Sequence, residues 1–235
     1  MSPGRGLEAH AMRAVLFDMD GTLVDSLGEH VVQRRGDVAE AGLPTHALPE
    51  YRFLVGDGAS ELVRRALPRD RQHLHAELLA AYKARYRTHL IVDTRPFDGI
   101  EDTLAELERH GIPKAVITNK PHAPAVEIVE RLLGRFTWAA IEGQKDGIPH
   151  KPDPTGALAI ARTLGIDPAR CVFVGDTDTD MKTAVNAGML PIGCAWGLRS
   201  REELIANGAQ HVIEHPRELV PLVLAHGYSS ASTSG

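Results

Sequence analysis

The chain has 235 residues, of which 43% are hydrophobic and 24% charged, an ordinary balance for a globular protein. Its formal net charge of -5 argues against a general binder of nucleic-acid polymers or acidic membranes. No apolar run reaches the ~18 residues of a membrane-spanning helix, and the two cysteines, Cys171 and Cys194, lie too far apart for a disulfide framework or zinc site.

Residues 1–12 carry little apolar pattern, with no secretory h-region, and Met12 offers a second start just before the first apolar run. Residues 14–17 form that run and end at Asp18, which predicts a buried strand. Further strands are expected at 114–117, 138–141, 171–174, 190–195 and 211–213. Asp98 with Glu101 reads as a capping box for a helix running to His110, stopped by Gly111. Helical spacing recurs over 123–133, over 154–164 before Gly165, and over 178–187 before Gly188. Strands alternating with helices predict an α/β fold, a Rossmann-like parallel sheet with helices on both faces. Cys171 and Cys194 then read as small buried hydrophobes, and a reducing, cytoplasmic setting is expected. Residues 229–235 read as a polar, Ser-rich tail.

Between the first and second strands lies a stretch too long for one crossover. It shows three helical patterns, at Leu27, Val31, Arg35 and Val38, at 59–67, and at 74–90. An inserted all-helical cap over 26–93 is expected, with the catalytic core formed by 13–25 and 94–228 and flexible termini at 1–12 and 229–235.

Polar residues recur at the carboxyl ends of the expected strands, where parallel sheets place ligand sites. They are Asp18 with Asp20, Thr118 with Asn119, Lys151, and Asp176 with Asp180. In extended backbone Asp18 and Asp20 project to the same side, and two such carboxylates repel unless a cation compensates. Mg²⁺ suits carboxylate oxygens, water and a substrate phosphate, and Asp176 is the natural third acidic group. Asp178 reads as a solvated loop residue.

The run Phe17-Asp18-Met19-Asp20-Gly21-Thr22 resembles the first signature of the haloacid dehalogenase superfamily. Thr118-Asn119, Lys151-Pro152 and Gly175-Asp176-Thr177-Asp178-Thr179-Asp180 resemble its other three, in order and spacing. Within the superfamily, Thr118-Asn119-Lys120-Pro121, Gly56-Asp57-Gly58-Ala59 and Ala195-Trp196-Gly197-Leu198-Arg199-Ser200 are similar to phosphoglycolate phosphatases. The resemblance implies a Mg²⁺-dependent phosphomonoesterase. Asp18 would be the nucleophile and form an aspartyl-phosphate; Asp20 would be the general acid and base. The metal would be held by Asp18, the Asp20 carbonyl and Asp176, with Asp180 behind. Thr118 and the Asn119 amide would bind phosphoryl oxygens, and Lys151 would stabilise charge on nucleophile and phosphate.

A small phosphorylated metabolite is the expected partner, 2-phosphoglycolate first. Pyrophosphate, a sugar phosphate or a nucleotide monophosphate stands as the alternative, as does a phosphosugar mutase. Asp20 argues against carbon–halogen cleavage, which needs no leaving-group acid. Arg65 is the preferred cap contact for a substrate carboxylate, although an exposed helical position accounts for Arg64 and Arg65 equally well. Lys120 reads either as charge near the site or as a surface lysine; His30, His122 and His150 read as surface histidines. The protein is expected to act as a monomer or homodimer.

Overall fold

A computed structural model describes residues 14–28, 56, 58–88, 91 and 93–226. The expectations for both termini, for His30, for Asp57 and for most of the first helical pattern of the insert lie outside the described residues.

Six strands form one parallel sheet: β1 (Ala14–Phe17), β4 (Lys114–Pro121), β5 (Ala140–Gln144), β6 (Cys171–Gly175), β7 (Leu190–Cys194) and β8 (His211–Ile213). Two short strands, β2 (Val24–Asp25) and β3 (Arg95–Pro96), pair antiparallel beside it. The large sheet runs β5-β4-β1-β6-β7-β8. Numbering only its own strands, the order is 3-2-1-4-5-6. The winding therefore reverses beside β1, and a crevice opens at the carboxyl end of that strand.

β1 is short and wholly apolar because it is buried on both faces. Val15 and Phe17 pack with Leu104, Ile128 and Val220 on one face. Ala14 and Leu16 pack with Ala157, Ile160 and Ala184 on the other. Burying a side chain the size of Leu16 or Phe17 contributes roughly 1.5–3 kcal/mol. Helices Ile100–Arg109, His122–Leu133 and Leu219–Ala225 cover the first face; Thr155–Leu164 and Asp178–Ala187 cover the second. The helix Thr155–Leu164 ends at Gly165 (φ 65°), a left-handed cap that glycine adopts without a Cβ penalty.

In the insert, the described helices are Gly58–Ala66 and His75–Thr88. Gly58–Ala66 buries Leu62, Val63 and Ala66, which lie on one face at helical spacing. Leu62, Val63 and Tyr82 join the same apolar cluster as Phe17. β2 and β3 pair Val24 with Pro96 and Asp25 with Arg95, so the segments flanking the insert run side by side. No helix among the described residues is long and apolar enough to cross a membrane.

Three local expectations are corrected. The capping box at Asp98 and Glu101 does not form. The N-cap is Gly99 (φ 86°), which has no side chain to cap with, and Glu101 instead meets Arg135 at 2.9 Å. β4 continues through Thr118 and Asn119 to Pro121, with its register against β5 shifting after Ile117. The third strand begins at Ala140 rather than Trp138, whose indole donates to the Leu133 carbonyl at 3.2 Å.

Candidate active site

Asp18 directly follows β1, and its amide donates to the Val174 carbonyl at 2.9 Å, which fixes it against the neighbouring strand. The chain then turns sharply, with the amides of Leu23 and Val24 both donating to the Met19 carbonyl. Gly21 sits in this turn at φ 85°, and a Cβ there would lie 2.2 Å from Asp176 Oδ2. Both the backbone angle and the approach of the carboxylate require glycine. Gly197 serves Asp176 from the other side, where a Cβ would lie 2.2 Å from the aspartate's own Cβ.

Asp176 follows β6 and is fully buried. Its Oδ1 accepts from Thr22 Oγ1 at 2.9 Å and its Oδ2 from the Leu198 amide at 2.8 Å. Asp180 lies one turn into the helix Asp178–Ala187, and a capping box orients it. Its Oδ2 accepts from the Thr177 amide at 3.0 Å and from Thr177 Oγ1 at 2.6 Å, which turns Oδ1 toward Lys151. The Thr-x-x-Asp spacing at that helix start was the available signal. Asp178 opens the same helix and pairs with Lys182 at 2.7 Å, away from the cluster.

The Lys151 ammonium lies 2.8 Å from Asp18 Oδ1, 2.7 Å from Asp180 Oδ1 and 3.2 Å from the Ile117 carbonyl. Its loop is held by Asn119, whose side chain donates to the Lys151 carbonyl at 3.1 Å and accepts from the Lys151 amide at 2.8 Å. Thus the Asn119 side chain positions lysine. Burial opposes the charged ammonium, but Asp18 and Asp180 outweigh it and hold the Lys151 pKa above its ordinary value. Asp18 is pushed up to about 7, first by burial and then by Asp180, with Lys151 offsetting part. Burial, then Asp180 and Asp18, raise Asp176 well above the usual carboxylate range.

Asp20 departs from the expected pairing with Asp18. Both residues lie beyond the strand, on either side of a bend at Met19, and their carboxylates serve different partners. Asp20 accepts from Lys120 Nζ at 2.7 and 2.9 Å and from Ser26 Oγ at 2.5 Å. The charge that compensates Asp20 is therefore Lys120, which is buried and not a surface lysine. Its position next to Thr118-Asn119, within the prolonged β4, was the signal.

A cavity of about 510 Å³ opens beside these groups, lined by Asp18, Asp20, Thr118, Asn119 and Lys120 on the sheet side and by Leu62 and Tyr82 from the insert. Arg65 is not among its described lining residues; it pairs with Glu61, one helical turn earlier, at 3.4 Å. Of the histidines, His122 is half-buried and Nδ1 accepts from the Gly143 amide at 3.3 Å, whereas His150 stays exposed. Cys171 and Cys194 are buried free thiols.

The haloacid dehalogenase-like hydrolase family matches residues 12–188, three quarters of the chain and all four polar clusters. The chain belongs to the haloacid dehalogenase-like hydrolases. Among curated relatives of this hydrolase, the N-acetylmuramic acid 6-phosphate phosphatase of Pseudomonas aeruginosa is 34% identical over 215 residues, covering 90% of this chain and 95% of the relative. Phosphoglycolate phosphatase 1 of the same organism is 33% identical over 218 residues, covering 89% of this chain and 79% of the relative. A solved structure from Lactobacillus delbrueckii subsp. bulgaricus superposes with a TM-score of 0.85 at 27% identity, over 91% of this chain and 99% of that one.

The family implies a divalent cation, and the hydrolase's own residues fit one. Oxygens of Asp18, Asp176 and Asp180 lie within 4.8 Å of one another. Three clustered carboxylates, two of them paired with the single Lys151 ammonium, leave two formal negative charges to neutralise. Asp18 Oδ1 is buried and, despite the nearby ammonium, accepts no well-directed hydrogen bond. An all-carboxylate donor set suits a hard cation. Asp18, Asp176 and Asp180 are the residues that would hold it.

Proposed function

We propose that this hydrolase is a Mg²⁺-dependent phosphomonoesterase that works through an aspartyl-phosphate on Asp18. The observation that carries this reading is the enclosure of Asp18 between Lys151 and two further buried carboxylates, on a cavity also lined by Thr118 and Asn119. The names of the relatives support it, since each is called a phosphatase of a small phosphorylated metabolite. The proposed core is 13–25 with 94–228, and the proposed cap is 26–93.

In the first step an Asp18 oxygen attacks phosphorus as the bond to the leaving oxygen breaks, and Asp20 gives that oxygen a proton. In the second, water attacks phosphorus, Asp20 takes its proton, and Asp18 departs as a carboxylate. Bound Mg²⁺ supplies positive charge for the phosphoryl oxygens and the nucleophile. Lys151 orients Asp18 and neutralises charge on it, and Thr118 Oγ1 with the Asn119 amide holds the phosphoryl group. Asp176 and Asp180 complete the anionic pocket. The acidic, partly desolvated site favours a hard cation over monovalent salt, so the protein is expected to release phosphate only with a divalent ion and to melt at higher temperature when Mg²⁺ binds. A phosphate-release screen with Mg²⁺ and with excess chelator checks this. Undiminished turnover in chelator contradicts the metal requirement, and silence across a broad phosphomonoester panel contradicts the activity.

Lys120 adds a second expectation. Lys120 Nζ donates to both carboxylate oxygens of Asp20 and so fixes the group that moves the proton in both steps. Lys120→Met is therefore expected to lower kcat by about 10²-fold. An unchanged kcat places Lys120 outside the mechanism.

A further inference from the structure

Two histidines outside the catalytic cleft face one another. His211 opens β8, the outermost strand of the sheet, and His226 is the C-cap of the helix Leu219–Ala225. Both are half-buried, and their Nε2 atoms lie 3.1 Å apart. His226 Nδ1 lies 2.9 Å from the Leu222 carbonyl. A carbonyl only accepts, so Nδ1 carries a proton and the Nε2 of a neutral His226 keeps its lone pair. An imidazole that binds metal through one nitrogen is held through the other in this same way.

The ring geometry departs from a simple hydrogen bond. A straight N–H···N bond of this length would set the two ring centres about 5.4 Å apart. They lie 4.8 Å apart, with the planes at 82°. Two lone pairs converging on one ion at about 2.0–2.1 Å would hold nitrogens 3.1 Å apart at an angle of about 100°, with ring centres about 4.8–4.9 Å apart. The observed distances match that arrangement. The surroundings do not repel a cation either. Arg201, on the groove that His211 lines, is paired with Glu214 at 2.6 Å, and Glu218 lines the same groove.

We propose that His211 and His226 form a second metal site, for a borderline divalent ion such as Zn²⁺ or Cu²⁺, with water completing the coordination. Imidazole nitrogen suits these ions, whereas the carboxylate cluster at Asp18 suits Mg²⁺. Both Nε2 atoms give a lone pair to the ion, and the proton that His211 Nε2 donates in the metal-free pair moves to its Nδ1. The register Phe17–Val174–Ile192–His211 sets His211 level with Phe17 but three strands away, roughly 14 Å at about 4.8 Å per strand. The ion therefore clips the helix Leu219–Ala225 to the edge strand and takes no part in the chemistry at Asp18.

Calorimetric titration of the untagged full chain with Zn²⁺, in excess Mg²⁺ so that the carboxylates are occupied, tests this. The native chain is expected to bind one equivalent of Zn²⁺ whose Kd rises by about 10²-fold or more in His211→Ala and in His226→Ala. Zn²⁺ at about 100 times its Kd should raise the native Tm by about 5–10 °C and leave both variants unmoved. Paramagnetic resonance of Cu²⁺ bound to the native chain counts the ligands without a variant, and splitting from two imidazole nitrogens is expected. Absence of Zn²⁺ binding by the native chain, equal binding by the variants, or a Cu²⁺ spectrum with fewer than two nitrogens overturns the proposal.

Discussion

Asp18→Asn is expected to lower phosphate release by on the order of 10⁴- to 10⁶-fold, the scale on which losing a nucleophile acts, while the protein still folds. The amide keeps the shape of the carboxylate but is a very poor nucleophile. The fold should tolerate it because the native carboxylate is itself costly there. Burial and Asp180 raise Asp18 to about 7, so the folded state binds its proton more tightly than the unfolded chain does. In metal-free protein that group therefore favours folding at low pH and opposes it once ionised, above about 7. Lys151 remains neutralised by Asp180 at 2.7 Å in the variant. In chelator at pH 8, Asp18→Asn should thus melt no lower than the native protein. Calorimetry with a phosphate-release assay checks both halves. Turnover within tenfold of native contradicts the role of Asp18, and a melting point many degrees lower contradicts the electrostatic account of the site.

Lys151→Ala should be damaging on both counts. The ammonium is the one cation that contacts both Asp18 and Asp180 among the described residues. Deleting it leaves buried carboxylates without a partner, a change that costs about 3–5 kcal/mol. In a chain of this length that corresponds to a fall in Tm of about 6–20 °C. Activity should fall by about 10²- to 10³-fold, the usual scale for loss of a preorganised charge at a reacting centre. Mg²⁺ should restore part of the Tm, since it supplies positive charge to the same carboxylates, but little of the activity, since it does not hold Asp18 in line. A Tm unchanged in chelator shows that the carboxylates do not depend on this lysine.

Much of this architecture was legible because local pattern and global topology agree. The apolar runs at β1 and β6 end directly at Asp18 and Asp176, so the strand ends themselves announced the site. The helix Asp178–Ala187 was legible from its apolar spacing and the following Gly188. What was not legible depended on partners remote in sequence. Lys120 looks exposed when β4 is read as ending at Ile117; only the prolonged strand buries it against Asp20, 100 residues earlier. At Arg65, Glu61 four residues before it offers a helical ion pair that the spacing alone could have shown. Asp98 was misread because a capping box needs a side chain at the N-cap, and Gly99 holds that position.

The acid-trapped, borohydride-reduced enzyme tests the nucleophile most directly. In Asp20→Ala with p-nitrophenyl phosphate, the good leaving group departs without an acid, whereas hydrolysis of the intermediate lacks its base. The expected result is a burst of p-nitrophenol without matching phosphate, with the residue at position 18 converted by reduction to homoserine and found by peptide mapping. Phosphate released in step with p-nitrophenol, with an unmodified aspartate at position 18, contradicts an aspartyl-phosphate on Asp18.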